Sequence, residues 1–152
     1  MTTQAIKSQS ILPRVAGIQK DIERLQKLGK LDLKIFTEEA NLVMAQFYLR
    51  QALEGVFHIG SHILSRLPGG RTVEYKQIAL KLGELGIVDP LFAKTELNQM
   101  AGYRNRLTHF YAEITAEEIY KILQEHLSDF DTFLEAIKRV MLHPEQFNLT
   151  IE

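Results

Sequence analysis

The amino-acid sequence predicts an all-α protein, an up-and-down bundle of about five helices around one long central helix. Three observations predict it. Apolar residues recur every three or four positions through most of the 152 residues. Helix starts and stops divide that pattern into segments. The one alternating run, Leu31, Leu33 and Ile35 with Asp32 and Lys34 between them, has no second run to pair with and reads as an extended connector.

The elements follow in order. Pro13 in a first turn, then Val15, Ile18, Ile22 and Leu25 with Gly29 just beyond, gives an amphipathic first helix. Thr37 is placed as the cap of the long helix, with Glu38 and Glu39 in its first turn, where the backbone dipole favours anions. Leu42, Ala45, Leu49, Leu53, Val56, Gly60, Ile63 and Leu67 form its wide apolar stripe until Pro68-Gly69-Gly70 stops it. At 1.5 Å per residue it spans ~45 Å, enough for the spine of a bundle.

A third helix is expected from Thr72 to Leu85, with Ile78, Leu82 and Leu85 inward and Gly86 as its stop. Asp89-Pro90 is a cap followed by proline at the first helical position, opening a fourth helix. Thr115 and Glu118 have capping-box spacing for the last helix, whose inward positions are Ile119, Leu123, Leu127, Phe130, Leu134, Ile137 and Met141. His143-Pro144 ends it. Residues 1–10 are set aside as a flexible N-terminus, 11–143 as a single helical domain and 144–152 as a C-terminal tail.

Composition narrows the function classes. With 45% apolar and 24% charged residues the chain is ordinary for a globular protein. It has no cysteine, hence no disulfide framework and no thiolate metal site, and a cytoplasmic location is expected. The polar first ten residues lack the apolar stretch of a signal peptide, and no window is apolar enough to span a bilayer. A formal net charge of −1 does not pull the protein as a whole onto RNA or lipid, so any nucleic-acid contact needs a local basic patch or one assembled by oligomerisation.

Such a patch occurs in Arg104-Asn105-Arg106-Leu107-Thr108-His109-Phe110-Tyr111. An arginine is a permanent planar cation suited to phosphate, and a histidine gives or takes a proton near neutral pH. The pairing suits phosphodiester cleavage without metal, and no cofactor is expected. Ala93, Leu97, Met100 and Arg104 fall three or four apart, so the arginine continues an apolar stripe and points toward the bundle or a partner surface, where a charge needs a ligand.

Five residues advance a helix by ~500°, which sets Arg104 and His109 ~140° apart around the axis and ~7.5 Å along it. Either the helix ends near Leu107 and His109 turns back, or the site combines residues from two chains. Arg104, Thr108 and Tyr111 do line up, so Tyr111 is placed to stack on a base or lie near the phosphate. The blander readings are surface cations near a helix C-terminus, a structural histidine and a packing tyrosine. Arg50, Glu54, His58 and His62 form a second stripe along the long helix. Histidines four apart are a common zinc pair, but with no further ligand identifiable the stripe reads first as a solvated face, then as support for a cleft or dimer surface.

Tyr103 to Tyr111, together with Leu82-Gly83-Glu84-Leu85-Gly86-Ile87 and the stretch from Ala52 to Leu64, closely resembles the HepT-like toxins of the HEPN superfamily. The likeness covers nearly the whole chain, and the Arg-x-x-x-x-His-x-Tyr run with Asn directly after the Arg is its specific part. The resemblance implies an HEPN-like bundle that forms a homodimer, with the two motifs facing each other across the interface, acting as a metal-independent endoribonuclease on messenger or transfer RNA. Carried over by position, Arg104 and His109 are the catalytic pair, Asn105, Arg106 and Thr108 support them or contact RNA, and Tyr111 completes the motif. The partner implied is an MntA-type nucleotidyltransferase antitoxin that adds AMP to Tyr111. One departure is His58, where many relatives are expected to carry Asp. The alternative is a non-catalytic helical module that binds nucleotide or substrate beside a nucleotidyltransferase. A third reading is a dimerisation protein whose motif is an interface ion cluster.

Overall fold

Each helix forms where an apolar stripe finds something to cover it. A computed structural model describes residues 4–152, the side chain of Tyr111 excepted. Helix α1 spans Ser8–Gly29, α2 Leu33–Phe36, α3 Glu39–Leu64, α4 Tyr75–Glu84, α5 Pro90–Lys94, α6 Glu96–His109, α7 Ala116–Glu125 and α8 Ser128–Leu142. The all-α expectation holds, with α3 as the spine. Ten α3 residues from Ala45 to Leu64 are buried. Helix α1 lies along this spine, and α4, α6 and α7 also pack on it. The fully enclosed aromatics Phe36, Phe57, Phe130 and Phe133 belong to one apolar core that joins all of these elements.

Several expectations change in the structure. The Leu31–Ile35 connector contains the single-turn helix α2, because one turn buries Phe36 completely, with its ring 5.1 Å from that of Tyr120. Tyr120 in turn donates to the Leu31 carbonyl. Leu33 and Ile35, the other members of the alternating run, are exposed. Thr37 does not cap α3: its hydroxyl donates back to the Lys34 carbonyl, and Glu38 takes the cap position without a side-chain bond. Helix α4 starts at Tyr75 rather than Thr72, since Val73 is fully outside and gives a helical turn nothing to bury, and Leu85 faces outward.

The fourth and last helices are each divided. At Thr95 the backbone leaves helical geometry, which lets Phe92 and Ala93 pack against α4 while Leu97 and Met100 pack into the core. The Asp89 carboxylate accepts from the amides of Leu91 and Phe92, as a cap should. At His126 a second break separates α7 from α8. The capping box is half formed: the Glu118 amide donates to the Thr115 hydroxyl, but the Glu118 carboxylate turns to Arg106.

Of the segment expected to be flexible, residues 1–3 lie outside the described residues, and the rest is joined to the expected C-terminal tail. Ala5–Ile6 (β1) pairs in parallel with Thr150–Ile151 (β2), and Ile6 is fully buried. The Arg66 guanidinium donates to the Ala5 carbonyl and the Lys7 amide to His62, which fastens the first segment to the end of α3. Pro13, read as a first-turn residue, lies well inside α1, whose first turn starts at Ser8.

The α4–α5 turn sets the approach to α6. A Cβ on Gly83 would lie 2.5 Å from that of Ala93 and 3.3 Å from the Pro90 backbone. We expect Gly83→Val to destabilise the fold by about 1–3 kcal/mol through overpacking, read as a lower urea midpoint.

Candidate active site

Helix α6 carries the motif. Its apolar side, Leu97, Met100, Ala101 and Leu107, is buried, and this fixes the rotation of the helix. Arg104 continues that side, as expected, and its side chain is only 19% exposed. The guanidinium lies over the ring of Tyr75, 4.0 Å from its centroid. Its Nη2 is 3.9 Å from Glu54 Oε1, and Nη1 donates to Asn105 Oδ1 at 3.4 Å. An aromatic face and a carboxylate thus fix the plane of the cation and offset part of its desolvation. Both contacts are long, so one edge keeps capacity for a stronger anion.

Two buried polar atoms on this face lack a hydrogen-bond partner among the described residues: Arg104 Nε and, one turn on, the Thr108 hydroxyl. Hydrogen-bonding capacity is therefore concentrated on one face of α6. Beside them, Val43, Phe47 and Arg50 of α3 and Leu107 and Thr108 of α6 enclose a hollow of 330 Å³. Val43 and Phe47 of its lining are exposed large apolar side chains, as is Met44 next to Val43 in the chain.

The other motif residues divide. Asn105 braces Arg104. Arg106 makes a two-point contact with Glu118, 2.8 and 2.9 Å, tying α6 to α7, and the Glu118 bonds raise its pKa above the usual arginine value. Arg106 is thereby committed inside the chain. His109 occupies the last helical turn and is exposed, with the Phe110 ring edge-on at 6.3 Å. Helix α6 continues through His109, and Phe110 closes it by donating to the Arg106 carbonyl at 2.8 Å. The alternative in which the helix ends near Leu107 therefore falls, and a single chain leaves Arg104 and His109 on different sides of α6. The backbone of Tyr111 opens a 3-10 turn over Tyr111–Glu113, and its side chain lies outside the described residues.

The stripe on α3 is partly absorbed. Glu54 sits between Arg50, at 3.6 Å, and Arg104. His62 Nε2 accepts from the Lys7 amide at 3.1 Å and so serves the chain end. Among the described residues no group of three or more His, Cys, Asp or Glu is arranged to hold a metal ion. Burial, then Arg14 among the neighbouring charges, holds the His58 pKa below the ordinary histidine value, with Arg104 adding to the depression and Glu54 opposing it. Burial and Arg66 do the same to His62. Tyr75 was not singled out in the sequence, because nothing in its local pattern links the start of α4 to an arginine 29 residues later.

Comparison with known proteins places this helical bundle in a ribonuclease class. The family described as "Ribonuclease HepT-like" matches residues 18–137. The chain belongs to that family. It is 24% identical over 137 residues to a tRNA nuclease HepT from Aphanizomenon flos-aquae, covering 89% of this chain and 92% of that protein. It is 26% identical over 132 residues to an mRNA nuclease HepT from Shewanella oneidensis, covering 84% and 96%. Among solved structures it is similar to a MntA–HpeT toxin–antitoxin complex, with a TM-score of 0.76 and 22% identity over 86% of this chain and 98% of that one. It is likewise similar to the tri-AMPylated Shewanella oneidensis HEPN toxin bound to its MNT antitoxin, with a TM-score of 0.76 and 24% identity over 84% and 96%. No helix among the described residues is long and apolar enough to cross a membrane.

The depressed histidines have a pH consequence. Their folded pKa values lie below the unfolded value of about 6.5, so between the two the unfolded chain holds more protons. The stability they contribute is present above pH of about 6.5 and is lost as pH falls through the lower folded values. Melting temperature should therefore drop on acidification, and less steeply in His62→Gln and in the His58→Gln/His62→Gln double variant.

Proposed function

We propose that this chain is a metal-independent endoribonuclease toxin that acts as a homodimer, with Arg104 and His109 meeting only where two copies join. The carrying observation is the placement of Arg104: mostly withdrawn from solvent, oriented by Tyr75 and Glu54, and lying on a different side of α6 from His109. A second copy laid over the hollow would cover Val43, Phe47 and Leu107. It would also supply partners for Thr108 and bring its own His109 toward Arg104.

The chemistry follows from the side chains. One His109 takes the proton of the ribose 2'-hydroxyl, whose oxygen attacks the adjacent phosphorus. The bond to the 5'-oxygen breaks, the other His109 protonates that leaving oxygen, and a 2',3'-cyclic phosphate remains. Arg104 holds the phosphoryl oxygens, with hydrogen bonds that strengthen as charge accumulates on them in the transition state. Messenger or transfer RNA would be the substrate, as in the names of the two relatives. The neutralising partner would be an MntA-type nucleotidyltransferase that joins the Tyr111 hydroxyl to the α-phosphorus of ATP and releases pyrophosphate. An AMP phosphate beside Arg104 would occupy the place of substrate phosphate.

RNA cleavage should persist in chelator and fall by about 10²-fold or more in Arg104→Ala and in His109→Ala. Mixing the two inactive variants should restore part of the activity, since a mixed dimer keeps one Arg104–His109 pair across the joint and lacks only the second imidazole, whose proton water can supply at a slower rate. A mixture as inactive as its components rules out the shared site, and retained RNA binding without cleavage in the wild type favours the binding module. Mass spectrometry after incubation with the antitoxin and ATP should show AMP on the wild type and none on Tyr111→Phe.

A further inference from the structure

We infer that Arg50 is a second phosphate-binding residue of this protein, holding the RNA phosphate next to the scissile one at the polar end of the hollow between α3 and α6. The identity of the ligand rests on the nuclease reading, and its place rests on the geometry of two arginines. Arg104 lies beside Glu54, and one turn further along α6 Thr108 lines the hollow together with Arg50. Helices α3 and α6 therefore run antiparallel here, and the two pairs sit ~6 Å apart along them, a step that one sugar–phosphate repeat spans. A strand held at Arg104 and running toward the hollow meets Arg50 next.

Arg50 and Arg104 are held in the same way. Each guanidinium has an aromatic ring beside it, Phe47 at 6.0 Å for Arg50 and Tyr75 at 4.0 Å for Arg104. Each also faces the same oxygen, Glu54 Oε1, at 3.6 Å from Arg50 Nη1 and 3.9 Å from Arg104 Nη2. Both distances exceed a hydrogen bond, so one carboxylate steadies two cations without saturating either, and the trio keeps a net positive charge. Other arginines are committed inside the chain. Arg106 is closed off by Glu118 at 2.8 and 2.9 Å, and the Arg66 guanidinium donates to the Ala5 carbonyl and the Ser65 hydroxyl. The Arg50 side chain is 40% exposed, so a phosphate reaches it from solvent. In the same hollow the Thr108 hydroxyl oxygen, buried and unpaired among the described residues, can donate to that anion and still accept from the second copy. A guanidinium and a hydroxyl donor suit a phosphate and read no base, so the contact is with the backbone of the strand alone.

The test measures how the intact protein binds a 2'-fluoro oligouridine, which lacks the attacking hydroxyl and stays whole, over a range of salt concentrations. Arg50→Ala should weaken binding about tenfold and lower the slope of log affinity against log salt by about 0.7 for each Arg50 that the strand touches. Arg50→Lys should keep the slope, because it keeps the charge, while losing part of the affinity with the planar fork. In cleavage of unmodified RNA the loss in Arg50→Ala should fall on KM more than on kcat, the reverse of Arg104→Ala. Its melting temperature and dimer content should match wild type, since an exposed ion pair four residues apart on a helix contributes little to stability. A wild-type salt slope in Arg50→Ala overturns the assignment. So does a change from dimer to monomer with the slope kept, which would make Arg50 part of the joint between copies, and so does a wild type that does not bind the oligomer. Failure of the nuclease reading would show separately, as wild type that leaves unmodified RNA uncut while the salt slopes still differ.

Discussion

A guanidinium largely withdrawn from water must be compensated, and much of the geometry near the motif can be traced to how Arg104 is. Its side chain is mostly withdrawn from water, which is costly unless charge, hydrogen bonds or an aromatic face replace the lost hydration. The chain brings Tyr75 from the start of α4, Glu54 from the spine and Asn105 from its own helix. None of these contacts is short and bidentate, unlike the Arg106–Glu118 pair two positions further on. Two arginines two positions apart thus have opposite fates. One is saturated and joins helices, while the other is oriented but left with an unpaired Nε. A cation oriented by weak partners is suited to an anion that arrives and leaves.

The same constraint is why the proposed chemistry calls for two chains. A regular helix through His109 cannot turn that imidazole onto the Arg104 side without breaking, and the Phe110 amide closes α6 only after His109. The exposed apolar side chains of α3 next to the hollow form a contiguous surface, and soluble proteins seldom leave such a surface bare. The Thr108 hydroxyl at the same place, without a partner among the described residues, adds a polar group to that surface.

The legible part of the fold was the part governed by period and caps. The α3 stripe, the Asp89-Pro90 start, the Gly86 stop at a positive φ of 76° and the His143-Pro144 end all follow from short-range rules. What escaped depended on distant partners. Phe36 draws residues 33–36 into a turn because Tyr120 waits across the bundle, and Ala5–Ile6 becomes a strand because Thr150–Ile151 lies beside it. Breaks at Thr95 and His126 leave the apolar periodicity intact on either side, so periodicity alone cannot show them.

At the site the distinction is similar. Arg104 was readable as an inward cation because it continues the stripe of Leu97 and Met100, and the family resemblance named its partner His109. Nothing local could assign Glu54, which on spacing alone belonged to a solvated stripe, or Tyr75, whose ring reaches Arg104 only because α4 packs across α3 and α6. Charge placement of this kind follows from tertiary geometry. Replacing Tyr75 by leucine would keep apolar cover over the core, yet remove the face that sets the guanidinium plane. Arg104 would then be held by a carboxylate at 3.9 Å and a long amide contact. A guanidinium free to rotate gives up the preorganisation that makes a cation stabilise a transition state more than a ground state. Under the proposed function, Tyr75 is therefore a positioning residue for the chemistry as well as a packing residue for the bundle.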